Sequence, residues 1–164
     1  MKKIILLILP IILLGCSKVA TLNTEYLKLN YPESWTVDTE NKLAEQPGFE
    51  RILATYIFDM GTESQFIINV EPADPENSIK EYRVMTKKLL TENFEGVEFV
   101  DQTDTTLDEA RTITLIHNNA GRYWLQSWTD HNDLVYTITL ATPEAQKDIS
   151  MTQVDTILKG IDLK

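Results

Sequence analysis

The stretch "RTITLIHNNAGRYWLQSWTDHNDLVYTITLATP" (residues 111–143) decides the fold. "RTITLIH", "RYWLQSWT" and "LVYTITLAT" are three runs rich in β-branched and aromatic side chains. "NNAG" and "DHND" separate them, and both are short polar turn sequences. Short turns between alternating runs force each strand back beside its predecessor, so the three form an antiparallel meander. Working outward, "ERILATYIFD" and "SQFIINVEP" read as a further hairpin around the turn-like "MGTE". "VEFVDQTDTTLDEA" reads as a weaker strand that runs into a polar bend.

Two helices accompany these strands. In "SIKEYRVMTKKLLTENF" (residues 78–94), Ser78 and Glu81 have capping-box spacing. Ile79, Tyr82, Met85 or Thr86, Leu89, Leu90 and Phe94 recur at helical spacing as one apolar stripe, and Gly96 is a plausible stop. At the end of the chain, Thr142 is placed to cap and Pro143 suits a first helical turn. Ser150 and Gln153 repeat the capping-box spacing, and Val154, Ile157, Leu158 and Ile161 make the apolar stripe of this second helix. Near the front, Leu27 and Leu29 share one strand face, followed by a turn at "YPESW". The order strands, helix, strands, helix predicts an α+β fold, an antiparallel β-sheet flanked by helices.

The chain opens "MKKIILLILPIILLGCSK". Lys2 and Lys3 precede an apolar run, Ile4 to Leu14, that is shorter than the roughly 20 residues a membrane span needs. That charge pattern belongs to an export signal. The run ends Leu13-Leu14-Gly15-Cys16, and Cys16 is the chain's 1 cysteine. This resembles the lipobox of bacterial lipoproteins. The resemblance implies a diacylglyceryl (palmitate-type) anchor on the Cys16 sulfur and cleavage before Cys16, so that two or more acyl chains hold the protein on a membrane. The expected division is a signal peptide at 1–15, a lipidated tether at 16–24 and one domain at 25–164. Ser17 after the lipidated position leans toward the outer membrane if the cell is Gram-negative, and in any cell the domain faces away from the cytoplasm.

Charge narrows the partners. The full chain carries −10, and loss of Lys2 and Lys3 takes it to −12. Such a surface disfavours nucleic acid and polybasic contact with anionic lipid. The main basic cluster is Lys80, Arg83, Lys87 and Lys88 on the first helix, a candidate face for an envelope protein partner.

The strand order, "YPESW", "FIINVEP", the helix "SIKEYRVMTKKLL" and the terminal "YTITLATPEAQKDISMTQVDTILKGIDL" together resemble the PsbP-like fold. That fold is shared by the photosystem II extrinsic protein and by small bacterial lipoproteins of the DcrB-like kind. The resemblance covers most of residues 25–164. It implies an α/β/α sandwich and carries over no catalytic residue.

Constellations for chemistry are sparse. His117 and His131, with Asp130 or Asp133, are the available metal ligands, but successive meander turns fall on opposite edges and keep the two histidines apart. Asp101, Asp104, Asp108 and Glu109 fail the calcium-loop pattern: counted from Asp101, Thr106 stands where glycine is required and Thr112 where glutamate is. No nucleophile elbow or phosphate loop is present. Trp124 and Trp128 flank Gln126 on one strand face, with Val135 or Tyr136 opposite, as either a binding platform or core under a helix. Trp35 reads as a fold-closing residue. Three functions follow: a non-enzymatic binding or accessory module, the favoured one, needing no cofactor; a small envelope hydrolase, which needs convergent acids beside His117; or a carrier of a hydrophobic ligand, which needs an apolar cavity between sheet and helix.

Overall fold

The computed structural model describes residues 18–164, without the side chains of 101–103 and 111. The segment expected as a signal peptide, and Cys16, lie outside the described residues.

Among the described residues, ten strands form two antiparallel sheets. The larger has the order β3 (Thr36–Asp38), β4 (Ala54–Asp59), β5 (Gln65–Pro72), β9 (Leu134–Pro143), β8 (Arg122–His131), β7 (Ala110–Asn119) and β6 (Glu98–Leu107). The smaller has the order β1 (Val19–Asn23), β2 (Leu27–Pro32) and β10 (Asp162–Leu163). Helix α1 (Ile79–Asn93) connects β5 to β6, and α2 (Lys147–Leu158) follows β9 after a single 3-10 turn.

The meander is a set of two-residue hairpins. Asp108 and Glu109, Ala120 and Gly121, and Asn132 and Asp133 all have positive φ, the mirror-image turn whose twist matches the strands it joins. Gly121 adopts this freely, at φ 74°. The expected polar bend after "VEFV" is instead the continuation of β6, a ten-residue strand that turns only at Asp108. As an edge strand it keeps one side unpaired, and polar side chains suit that position.

Because β6 lies at the far edge, α1 must carry the chain from β5 past β9, β8 and β7. Four strand spacings of about 4.8 Å come to about 19 Å, and the 15 residues of α1 give about 22 Å. Its N-terminus is fixed by Glu81, whose carboxylate accepts from the Ser78 backbone N–H at 2.5 Å.

Register assigns the faces. Trp128 lies opposite Ile113, while Leu125 lies opposite Ile116, three residues along the same strand and therefore on the other side. On one face Ile113, Leu115, Trp128 and Val135 pack under α1 with Ile79. On the other, Phe58, Phe66, Ile68, Tyr136, Ile138 and Leu140 meet Val154 and Ile157 of α2, and Leu27, Leu29 and Leu163 of the small sheet. Trp35 closes this larger core edge-on to Phe58, with centroids 6.4 Å apart. Tyr136 Oη lies 2.9 Å from the Tyr26 carbonyl and 3.0 Å from the Lys164 carbonyl, donating its proton between them and pinning the small sheet down.

Beyond the bend, two expectations are corrected. The fold is α+β with antiparallel sheets, but the α/β/α sandwich is incomplete: one face has α1 alone, and α2 shares the other with three strands. Strand β1 falls within the segment expected as tether and is registered against β2 from Val19–Pro32 to Asn23–Lys28. Ser150 does not cap α2 but sits inside it, because α2 begins at Lys147.

Candidate functional site

Helix α1 carries three exposed large apolar side chains, Val84, Met85 and Leu89. Ile79 is its one fully buried residue. Tyr82, Arg83, Thr86, Lys87 and Leu90 are partly covered, so the docked arc is narrow and half polar. Val84 is 64% exposed, Met85 54% and Leu89 58%, and beyond the helix Phe94 is 51% exposed. Met85 and Leu89 are four residues apart and so stand one above the other on one outward ridge. Val100, at the bulge in β6, is also exposed.

The predicted basic cluster divides. Arg83 Nη1 donates to Asp104 Oδ1 on β6 at 3.1 Å, and Lys87 Nζ sits 4.8 Å from the centre of the Phe99 ring. These two lie against the edge strand. Lys80 and Lys88 are exposed, with Lys88 3.9 Å from Glu92. The four therefore do not make one open patch: two help dock the helix and two border its apolar ridge.

Below α1 lies an aromatic stack. The His117 ring is parallel to Trp124 within 5°, with centroids 6.0 Å apart, and tilts against Phe99 at 6.2 Å. Its Nε2 is 3.4 Å from Gln126 Oε1, and Nδ1 is buried without a hydrogen-bond partner among the described residues. Burial lowers the imidazole pKa below its ordinary value and the Gln126 contact opposes this only in part. Burial thus favours the neutral ring over the charged one. Trp128 is core, and Trp124 is half-buried beside it. His131 ends the strand on which Trp124 faces His117, seven residues on, or roughly 24 Å away. The histidine pair does not converge, and among the described residues no group of three His, Cys, Asp or Glu gathers as for a metal.

The acidic stretch is also dispersed. Asp104 faces Arg83. Asp108 and Glu109 form the β6–β7 turn, and Asp108 Oδ2 accepts from the Leu163 N–H at 2.7 Å. Asp101 lies among the side chains outside the description.

On the opposite face a hollow of about 560 Å³ separates α2 from the outer strands. Leu107, Ile116, Leu125, Ile138, Met151 and Leu158 line it. Its floor carries hydroxyls bonded across strands, Thr112 to Thr129 at 2.7 Å and Thr114 to Ser127 at 2.9 Å. Sequence reasoning named Asp108, Leu158 and Ile161 for other roles and allowed for an apolar cavity between sheet and helix, but the alternating threonines on β7 signalled only a strand.

No protein-family model matches this chain, and no curated protein is similar to it in sequence. Solved structures are similar in fold. Cyanobacterial PsbP (CyanoP) of Synechocystis sp. PCC 6803 superposes with a TM-score of 0.65 at 16% identity, over 92% of this chain and 95% of that one. LpqN of Mycobacterium tuberculosis, involved in cell envelope biogenesis, gives 0.60 at 11% identity over 90% and 91%. The Ran-binding protein Mog1p of Saccharomyces cerevisiae gives 0.53 at 10% identity over 90% and 96%. The two sheets, the crossing helix and the terminal helix seen here therefore make up a PsbP-like fold.

Proposed function

We propose that this chain is a lipid-anchored, extracytoplasmic accessory module that engages an envelope protein through the outer face of α1, without catalysis of its own. The observation that carries the reading is the exposed ridge of Val84, Met85 and Leu89 on a helix docked through a narrow arc. Exposed apolar residues grouped on one element mark interaction sites more often than scattered ones do. Lys80 and Lys88 border the ridge on a chain of net charge −10. The fitting partner is an amphipathic segment with apolar anchors and acidic flanks. The "LLGC" ending at Cys16 supports anchoring. LpqN's role in cell envelope biogenesis supports an envelope setting, and Mog1p's binding of Ran supports a fold suited to binding.

A photo-crosslinking residue placed at Met85 or Leu89 in intact cells tests this, with Ile149 of α2, 62% exposed, as the control position. One protein adduct should form from the α1 positions, be absent from position 149, and weaken in the Lys80→Glu, Lys88→Glu double variant. Equal adducts from both helices, or none from α1, would overturn it.

A further inference from the structure

The hollow beneath α2 has the composition of a ligand site rather than of a packing fault. Small-molecule sites run to roughly 300–1,000 Å³, lined by apolar side chains with a few placed polar groups. This one, at about 560 Å³, has an apolar wall, a hydroxyl floor and charge only at its rim.

The rim and the floor together define what fits. Asp108, Asp155 and Lys159 are the charged residues lining it. Lys159 is paired with Asp155 at 2.6 Å, so the rim has two carboxylates and one already neutralised cation. An anionic head would be repelled there. A cationic head would compete with Lys159 for Asp155 and with the Leu163 N–H for Asp108. An uncharged head meets neither obstacle. On the floor, a Thr–Ser hydroxyl pair uses only one of its two O–H groups on itself, which leaves an O–H of the Thr114–Ser127 pair for a further acceptor. An ester carbonyl supplies that acceptor. The wall of Leu107, Ile116, Leu125, Ile138, Met151 and Leu158 takes hydrocarbon.

We infer that the hollow between α2 and strands β6–β8 binds one molecule of a single-chain, uncharged ester lipid of the monoacylglycerol class, drawn from the membrane. The acyl chain lies along Ile116, Leu125 and Met151, the ester oxygen reaches Thr114 and Ser127, and the head stays at the Asp155–Lys159 rim. The site is on the sheet face opposite α1, so it is independent of the docking ridge.

The test uses the full chain reconstituted in vesicles that contain a monoacylglycerol with a diazirine in its acyl chain. Matched probes are the free fatty acid, the alkylammonium and the glycerol ether of the same chain length, and labelled positions are mapped by mass spectrometry. The ester probe should label peptides containing Ile116 and Met151–Leu158 several-fold more than the acid or the ammonium does. Ile116→Trp and Met151→Trp, which fill the hollow, should each reduce that labelling about tenfold. Thr114→Val should lower labelling by the ester several-fold while leaving the ether unchanged, a split that a merely destabilised variant does not produce. Labelling spread evenly along the chain, preference for a charged probe, or indifference to both tryptophan substitutions and to Thr114→Val would overturn the assignment. Met85→Glu should leave labelling intact, which separates a failure here from a failure of the α1 reading.

Discussion

Helices α1 and α2 carry similar apolar stripes in sequence, yet the fold uses them differently. α2 buries Ser150, Val154 and Ile157, whereas α1 buries Ile79 alone. α2 is also bonded to the frame by a triangle of buried hydroxyls: Ser64 to Thr142 at 2.8 Å, Thr142 to Ser150 at 3.1 Å and Ser150 to Ser64 at 3.3 Å. That triangle joins the β4–β5 turn, the central strand β9 and the helix. α1 is held at its flank by an ion pair and a cation–π contact, both partly in solvent. Such contacts are each worth about 1 kcal/mol or less. One helix completes the core, while the other is laid across it with an apolar side to spare.

Substitutions can sharpen that contrast or break it. The largest effect belongs to Ile157→Ala, which opens a cavity where α2, β2 and β9 meet and should cost about 2–5 kcal/mol in denaturant unfolding. Ser150→Ala comes next. It removes two hydroxyl contacts but leaves the Ser64–Thr142 bond, and should cost about 1 kcal/mol.

The third probe is acid. The native His117 pKa lies below the ordinary value of about 6.5, so on acidification the unfolded chain takes up the proton first. Stability contributed by the neutral ring is present above about pH 6.5 and lost as pH falls from there toward the native pKa. Thermal midpoints measured from pH 7 to 5 should drop for the native chain and drop less for His117→Gln. An identical slope in both would remove the role assigned to the buried ring. The smallest effect is that of Leu89→Ala on α1, expected within about 0.5 kcal/mol by unfolding because the side chain is 58% exposed. A cost there approaching that of Ile157→Ala would mean the two helices are equally integral.

Much of the fold was legible because the signals were local. Asn132-Asp133 and Ala120-Gly121 announce their hairpins, and Ser78 with Glu81 announces the start of α1. Asp108-Glu109 adopts the same turn with no glycine or asparagine to reveal it, so "DQTDTTL" looked like a bend rather than the rest of β6. "VATLN" is too short and too weakly alternating to show that it pairs with β2. The stripe on α1 was visible, but periodicity does not tell which arc docks. Asp104 and Phe99 draw Arg83 and Lys87 inward, and Met85 and Leu89 turn out to solvent. His117 was visible as a strand residue; its stacking on Trp124 depended on the register of β7 against β8. The hollow under α2 depended on long-range packing, and no motif reports that.

Native-state hydrogen exchange of the full chain measures the contrast directly, amide by amide. Elements with few buried apolar contacts open below the global unfolding free energy. Amides from Val154 to Leu158 in α2 should exchange only with global unfolding, while those from Val84 to Leu90 in α1 should exchange through a smaller, separate opening. Equal protection along both helices would contradict the account, because α1 would then be core and its apolar ridge part of the frame.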